Sequence, residues 1–114
     1  MHTMQPSVPV ATFRLAAALE RYEMDLQALA QRWRDTELRR RVREQFREMR
    51  MLGASLPQVS VSWIAVLVSR ARMLQAFFAR TGRASVALQE HLRAVAALRN
   101  GCLRLLGAQG AALS

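Results

Sequence analysis

Between Val10 and Leu52 the chain holds neither proline nor glycine, and its apolar residues recur with a helical period. Leu15, Leu19, Tyr22, Leu26, Leu29 and Trp33 alternate steps of four and three, which places them on one helix face. A second stripe follows at Leu38, Val42, Phe46, Met49 and Leu52. The step from Trp33 to Leu38 is five residues, which turns a helix by about 500° and sets the second stripe about 140° from the first. Asp35 and Thr36 lie at this slip and are good helix-capping types. The pattern predicts a break near 34–36 and two helices, with one bent helix of about forty residues as the alternative.

The stretch Gly53-Ala54-Ser55-Leu56-Pro57-Gln58 is the clearest punctuation. Gly53 suits the position just past a helix end, and Ser55 with Gln58 reads as a capping box. A third helix is expected from there to about Thr81, stopped by Gly82. A fourth begins near Ala84, with Leu88, Leu92, Val95, Leu98, Cys102 and Leu105 in register straight across Gly101. Residues 1–9 and 107–114 read as a flexible arm and tail around a single helical domain at 10–106. The expected fold is all-α, an antiparallel four-helix bundle.

The third helix is apolar on two sides. Ile64, Leu67, Ala71, Leu74 and Phe78 form an uninterrupted seam, read as core. Val59, Trp63, Val66, Met73 and Phe77 form a second strip, broken by Arg70, about 100° around the same helix. One stripe suffices for a surface helix. The second is therefore expected to be partner-binding, through Val59, Trp63, Val66, Arg70, Met73 and Phe77, or else to face a second buried side. A second copy is the default occupant, which predicts a homodimer.

Composition adds one strong asymmetry. Of 114 residues 52% are apolar, and 17 arginines with no lysine stand against eight acids, for a net charge of +9. GC-rich coding would exchange Lys for Arg but would not thin out the acids, so the charge points to an anionic partner or surface. One cysteine and two histidines exclude a disulfide framework and disfavour a zinc site. The longest strongly apolar run, Val61–Val68, falls well short of a membrane span. The N-terminus lacks a signal-peptide pattern, and the expectation is a cytoplasmic protein.

Catalysis finds little support. Glu44 and Glu48 lie among Arg40, Arg41, Arg43 and Arg47, neighbours that hold carboxylates ionised in surface pairs, with Arg41 placed to meet Glu37 or Glu44. His91 reads as a boundary residue and Cys102 as a buried inert thiol. A mutase clamping a dianion would need several Arg around one cavity, and the seams leave no gap for one. No cofactor or metal is expected. The basic ridge of Arg39, Arg40, Arg43, Arg47 and Arg50 shares one arc of the second helix and could follow phosphates.

Small size, four amphipathic segments and the stretch VSVSWIAVLVSRARMLQAFF at 59–78 resemble the small all-helical bacterial anti-activators of LuxR-type quorum-sensing regulators. The resemblance is one of size and helical layout, with no motif. It implies a non-enzymatic protein that binds a transcription factor and inhibits it. The alternative is a basic helical nucleic-acid-binding protein using the Arg ridge. A secretion chaperone comes third, since such chaperones are usually acidic.

Overall fold

The computed structural model describes residues 7–80 and 82–113, the last three by backbone alone. Four helices follow in order: α1 (Val8–Gln31), α2 (Thr36–Ala54), α3 (Ser60–Phe78) and α4 (Ala84–Leu113), with a single 3-10 turn at Pro57–Val59. Short connections make α1 with α2, and α3 with α4, antiparallel neighbours. The chain is an all-α bundle.

The first break falls where the apolar seam slips. Asp35 caps α2, its carboxylate accepting from the Leu38 amide at 3.0 Å. The first seam is buried from Leu15 to Leu29, while Trp33 stays half-exposed and stacks on Phe77 of α3, centroids 4.6 Å apart. Leu38, Val42, Phe46 and Met49 are buried on α2, and Leu92, Val95, Leu98 and Cys102 on α4.

Local details depart from the sequence expectation at four places. Val8 and Pro9 already belong to α1, with proline in the first turn, where its missing N–H costs nothing; residues 1–6 of the expected arm lie outside the described residues. Gly53 does not end α2 but lies buried in its last turn under the Trp63 indole, where a Cβ would meet the ring at 3.0 Å. The Ser55–Gln58 capping box does not form, because Ser55 Oγ donates to the Leu52 carbonyl at 2.7 Å and Val59 caps α3 without a side-chain bond. The expected tail is helical, since α4 continues through Gly107 and Gly110 to Leu113.

The helices pack in the order α2–α1–α4–α3, and the ring is open on one side because α2 and α3 hardly touch along their length. The short connection at 55–59 pins α2 to α3 at one end, where Phe46 stacks on Trp63 at 5.7 Å. Toward the other end the two helices part.

Candidate functional site

The parting of α2 and α3 leaves a cleft of about 200 Å3. Leu26 and Leu29 of α1 form its floor, Val42 and Phe46 one wall, and Met73, Leu74 and Phe77 the other. Its only charged lining residues are Arg39, Arg43 and Arg70. The expectation that the seams leave no cavity for arginines is thus corrected: the gap opens between α2 and α3, where Arg70 interrupts the inward strip of α3. Arg70, the residue that interrupts the second strip of α3, lays its guanidinium 4.1 Å from the centre of the Phe46 ring, a cation–π contact.

Behind Arg70 runs a buried polar chain. Ser69 Oγ donates its single proton to the Val66 carbonyl at 3.0 Å, so it must accept from His91 Nδ1 at 2.7 Å. That leaves Nε2 unprotonated, and the Tyr22 hydroxyl donates to it at 2.6 Å. His91 is therefore not a boundary residue; it is fully buried and neutral. Burial, helped by the nearby Arg70 charge, pulls its pKa down to about 4. Burial also pushes the Tyr22 hydroxyl above the ordinary tyrosine range, with Arg70 opposing. Cys102 is buried, and its thiol is pushed up to about 11 by desolvation, which keeps it protonated and unreactive.

The Ser69–His91 distance is that of a nucleophile and its base, a pairing that sequence spacing did not reveal. Ser69 stands mid-helix, however, where neighbouring amides are committed to the helix and form no oxyanion hole. Its proton goes to a backbone carbonyl. The chain ties α1, α3 and α4 together at the base of the cleft.

The residues expected to bind a partner turn inward. Val59, Trp63, Val66 and Met73 are buried, Trp63 with 7% of its surface exposed, and Phe77 and Arg70 are partly buried on the cleft wall. The seam read as core faces solvent in their place. Of its residues Ile64 is 57% and Phe78 83% exposed and Ala71 is outward, alongside Val61 at 82% and Val68; Leu67 and Leu74 are partly buried against the core. The reversal has a physical reason: the strip broken by Arg70 can be internal because its guanidinium opens into the cleft, so the interruption marks the cleft and not the surface. The apolar excess on α3 is real, on the opposite face.

The second helix carries the basic ridge outward. Arg40 is neutralised by Glu37 and Glu44, and the Arg40 guanidinium holds the Glu37 carboxyl below the usual range. Arg41 reaches Asp25 of α1 at 3.7 Å, not Glu37 or Glu44 as its spacing suggested; Asp25 also accepts from Gln45 at 2.6 Å. Arg39, Arg43, Arg47 and Arg50 are exposed and, among the described residues, without an ion pair.

The segment Pro57–Phe78 as a whole, at mean hydropathy 1.3 over its most apolar window, is long and apolar enough to cross a membrane on length and composition. This widens the earlier reading, which rested on the shorter run at 61–68. Here its inner face forms part of the bundle core. No family model matches the chain, and no curated protein or solved structure matches it significantly.

Proposed function

We propose that this chain is a non-enzymatic interaction protein of the cytoplasm that binds a partner protein and inhibits it. The observation that supports this is the solvent-facing stripe of α3, where Val61, Ile64, Val68, Ala71 and Phe78 recur at helical spacing with only Gln75 intervening. An apolar stripe exposed on a folded helix supports a docking role. Arg72, Arg80 and Arg83 lie exposed beside or beyond it, so the partner face that fits is an amphipathic helix flanked by acids. A second copy of the chain would cover the same stripe, but it brings another nine positive charges with it.

The resemblance to anti-activators supplies the partner class, a LuxR-type transcriptional regulator. The test is a heterologous bacterium carrying such a regulator, its reporter promoter and this chain. Repression should occur, and should be lost on Ile64→Arg with Val68→Arg. Both side chains face water, so the double variant should retain its fold, losing under about 1 kcal/mol. Repression untouched by these charges would remove α3 as the docking face.

The second reading, nucleic-acid binding, is favoured by one observation: four arginines of the α2 ridge are exposed and unneutralised. It requires binding that falls steeply with salt and is abolished by Arg43→Glu with Arg47→Glu.

A further inference from the structure

We propose that the cleft between α2 and α3 binds a small amphiphile with a single acidic head, an aliphatic carboxylate of medium chain length. The proposal rests on the cleft alone and is independent of what α3 binds on its outer face.

Charge carries the argument. Three arginines line an otherwise apolar cavity, with no acidic side chain among the lining residues. Among the described residues none of the three makes an ion pair, although α2, which carries Arg39 and Arg43, neutralises Arg40 twice. Arg70 is partly buried, and a guanidinium withdrawn from water without a counter-charge is unfavourable. Its contacts are the Phe46 ring and a hydrogen bond to the Tyr22 side chain, which leaves the other N–H groups of its five for an acceptor. An Arg fork pairs with a carboxylate through two parallel bonds.

The cavity selects the rest of the molecule. Leu26, Leu29, Phe46, Met73 and Phe77 offer it no polar partner, and the Tyr22 hydroxyl is engaged with His91, which leaves the Trp33 indole as the one uncharged polar side chain of the lining without a named partner, so the body is largely hydrocarbon. At about 200 Å3 the space is below that of typical drug-sized sites, which limits the body to a single chain of medium length. A monoanion fits better than a phosphate dianion, because less hydration is lost on entering an apolar slot. Arg39 and Arg43 on the α2 wall add attraction for the approaching head.

Isothermal titration of the full chain with decanoate, below its micelle concentration, tests this. One equivalent should bind. Decanol should bind about tenfold or more weakly, since a charge-assisted bond is lost. Leu74→Trp should fill the slot and remove binding, while Arg70→Gln should weaken it about tenfold or more, both with folded circular-dichroism spectra. Should Arg70→Gln fail to fold, the exposed pair Arg39→Gln with Arg43→Gln must weaken decanoate binding measurably. Ile64→Arg should leave the titration unchanged, which separates this site from the outer face of α3. Absence of decanoate binding, equal binding of decanol or of a cationic decyl amphiphile, or preference for an acidic helical peptide over decanoate would each overturn the proposal.

Discussion

The two ends of the α2–α3 pair are built to opposite specifications. At the closed end Gly53 presents bare backbone to Trp63, whose indole stacks on Phe46, while Met49, Leu56 and Val59 are buried around it. At the open end the same two helices contribute Arg39, Arg43 and Arg70 to the walls of a cavity. A glycine lets the helices approach at one end; three guanidinium groups without an ion pair among the described residues line the other, where they part. Rigidity is thus concentrated at one end and space at the other. The buried Tyr22–His91–Ser69 chain lies between, at the base of the cleft.

The sharpest way to break this contrast is Trp63→Ala. Removing a buried indole from the closed end should cost about 3–5 kcal/mol in denaturant unfolding. Leu74→Ala, on the partly buried cleft wall, should cost clearly less, because the space it would leave already adjoins a cavity. Equal costs would mean that the two ends are packed alike. Protein concentration should be varied in both series, since a dimer would add a mass-action contribution.

The polar chain gives the next largest effect, through pH. His91 is held neutral, its pKa lowered from 6.5 to about 4, so between these values the unfolded chain binds the extra proton. Stability is therefore fully present above pH 6.5 and falls as the pH drops toward 4, by about 3 kcal/mol in all. His91→Leu should be less stable at pH 7, because it strands the Tyr22 hydroxyl and Ser69. Its stability should nevertheless lose this His-dependent slope. A variant that keeps the full slope would place the titration elsewhere, in the paired carboxylates.

Gly53→Ala tests the closed end more finely. Alanine improves helix propensity by about 1 kcal/mol, but its Cβ would lie 3.0–3.3 Å from three atoms of the indole. With Trp63 wedged against Phe46 the ring has little room to yield, and overpacking costs about 1–3 kcal/mol. The net expectation is a loss of about 1 kcal/mol. A gain would show that the indole can shift, and that the closed end is looser than its geometry suggests.

Much of this layout was legible in the chain. The α1 and α2 seams are single apolar stripes with polar flanks, so periodicity alone identified Leu15–Leu29 and Leu38–Met49 as core. The break at Asp35 followed from the slip between them. The α3 faces were not legible in the same way. Both stripes are apolar, and continuity favoured the one without a charge. Which stripe is internal depends on where Arg70 can place its guanidinium, and that is decided by the splay of a neighbouring helix, a tertiary fact. His91 was obscure for a related reason: its partners, Tyr22 and Ser69, lie 69 and 22 residues away, beyond any local pattern. The helical tail failed on propensity, since Gly107 and Gly110 sit within α4 although glycine is a poor helix former.

The smallest predicted effect concerns the connection that closes the open end. After α3 the chain turns through Arg80 at φ 50°, a left-handed conformation that disfavours side chains with a Cβ. The nearest glycine, Gly82, stands two residues further on and has no positive φ, and a Cβ there would meet nothing within 4 Å. The residue type suited to the turn is therefore displaced from the position that needs it. Arg80→Gly should stabilise the protein by about 0.5–1 kcal/mol, the usual advantage of glycine in this conformation just after a helix. Arg80→Ala removes the same charge but keeps the Cβ, so it should give no comparable gain. Gly82→Ala should add a few tenths of a kcal/mol by restricting the unfolded chain. Thermal melts of the three variants under identical conditions separate backbone from charge: an equal rise for Arg80→Ala and Arg80→Gly would mean that relief of positive charge at the open end, and not of the left-handed turn, is what stabilises it.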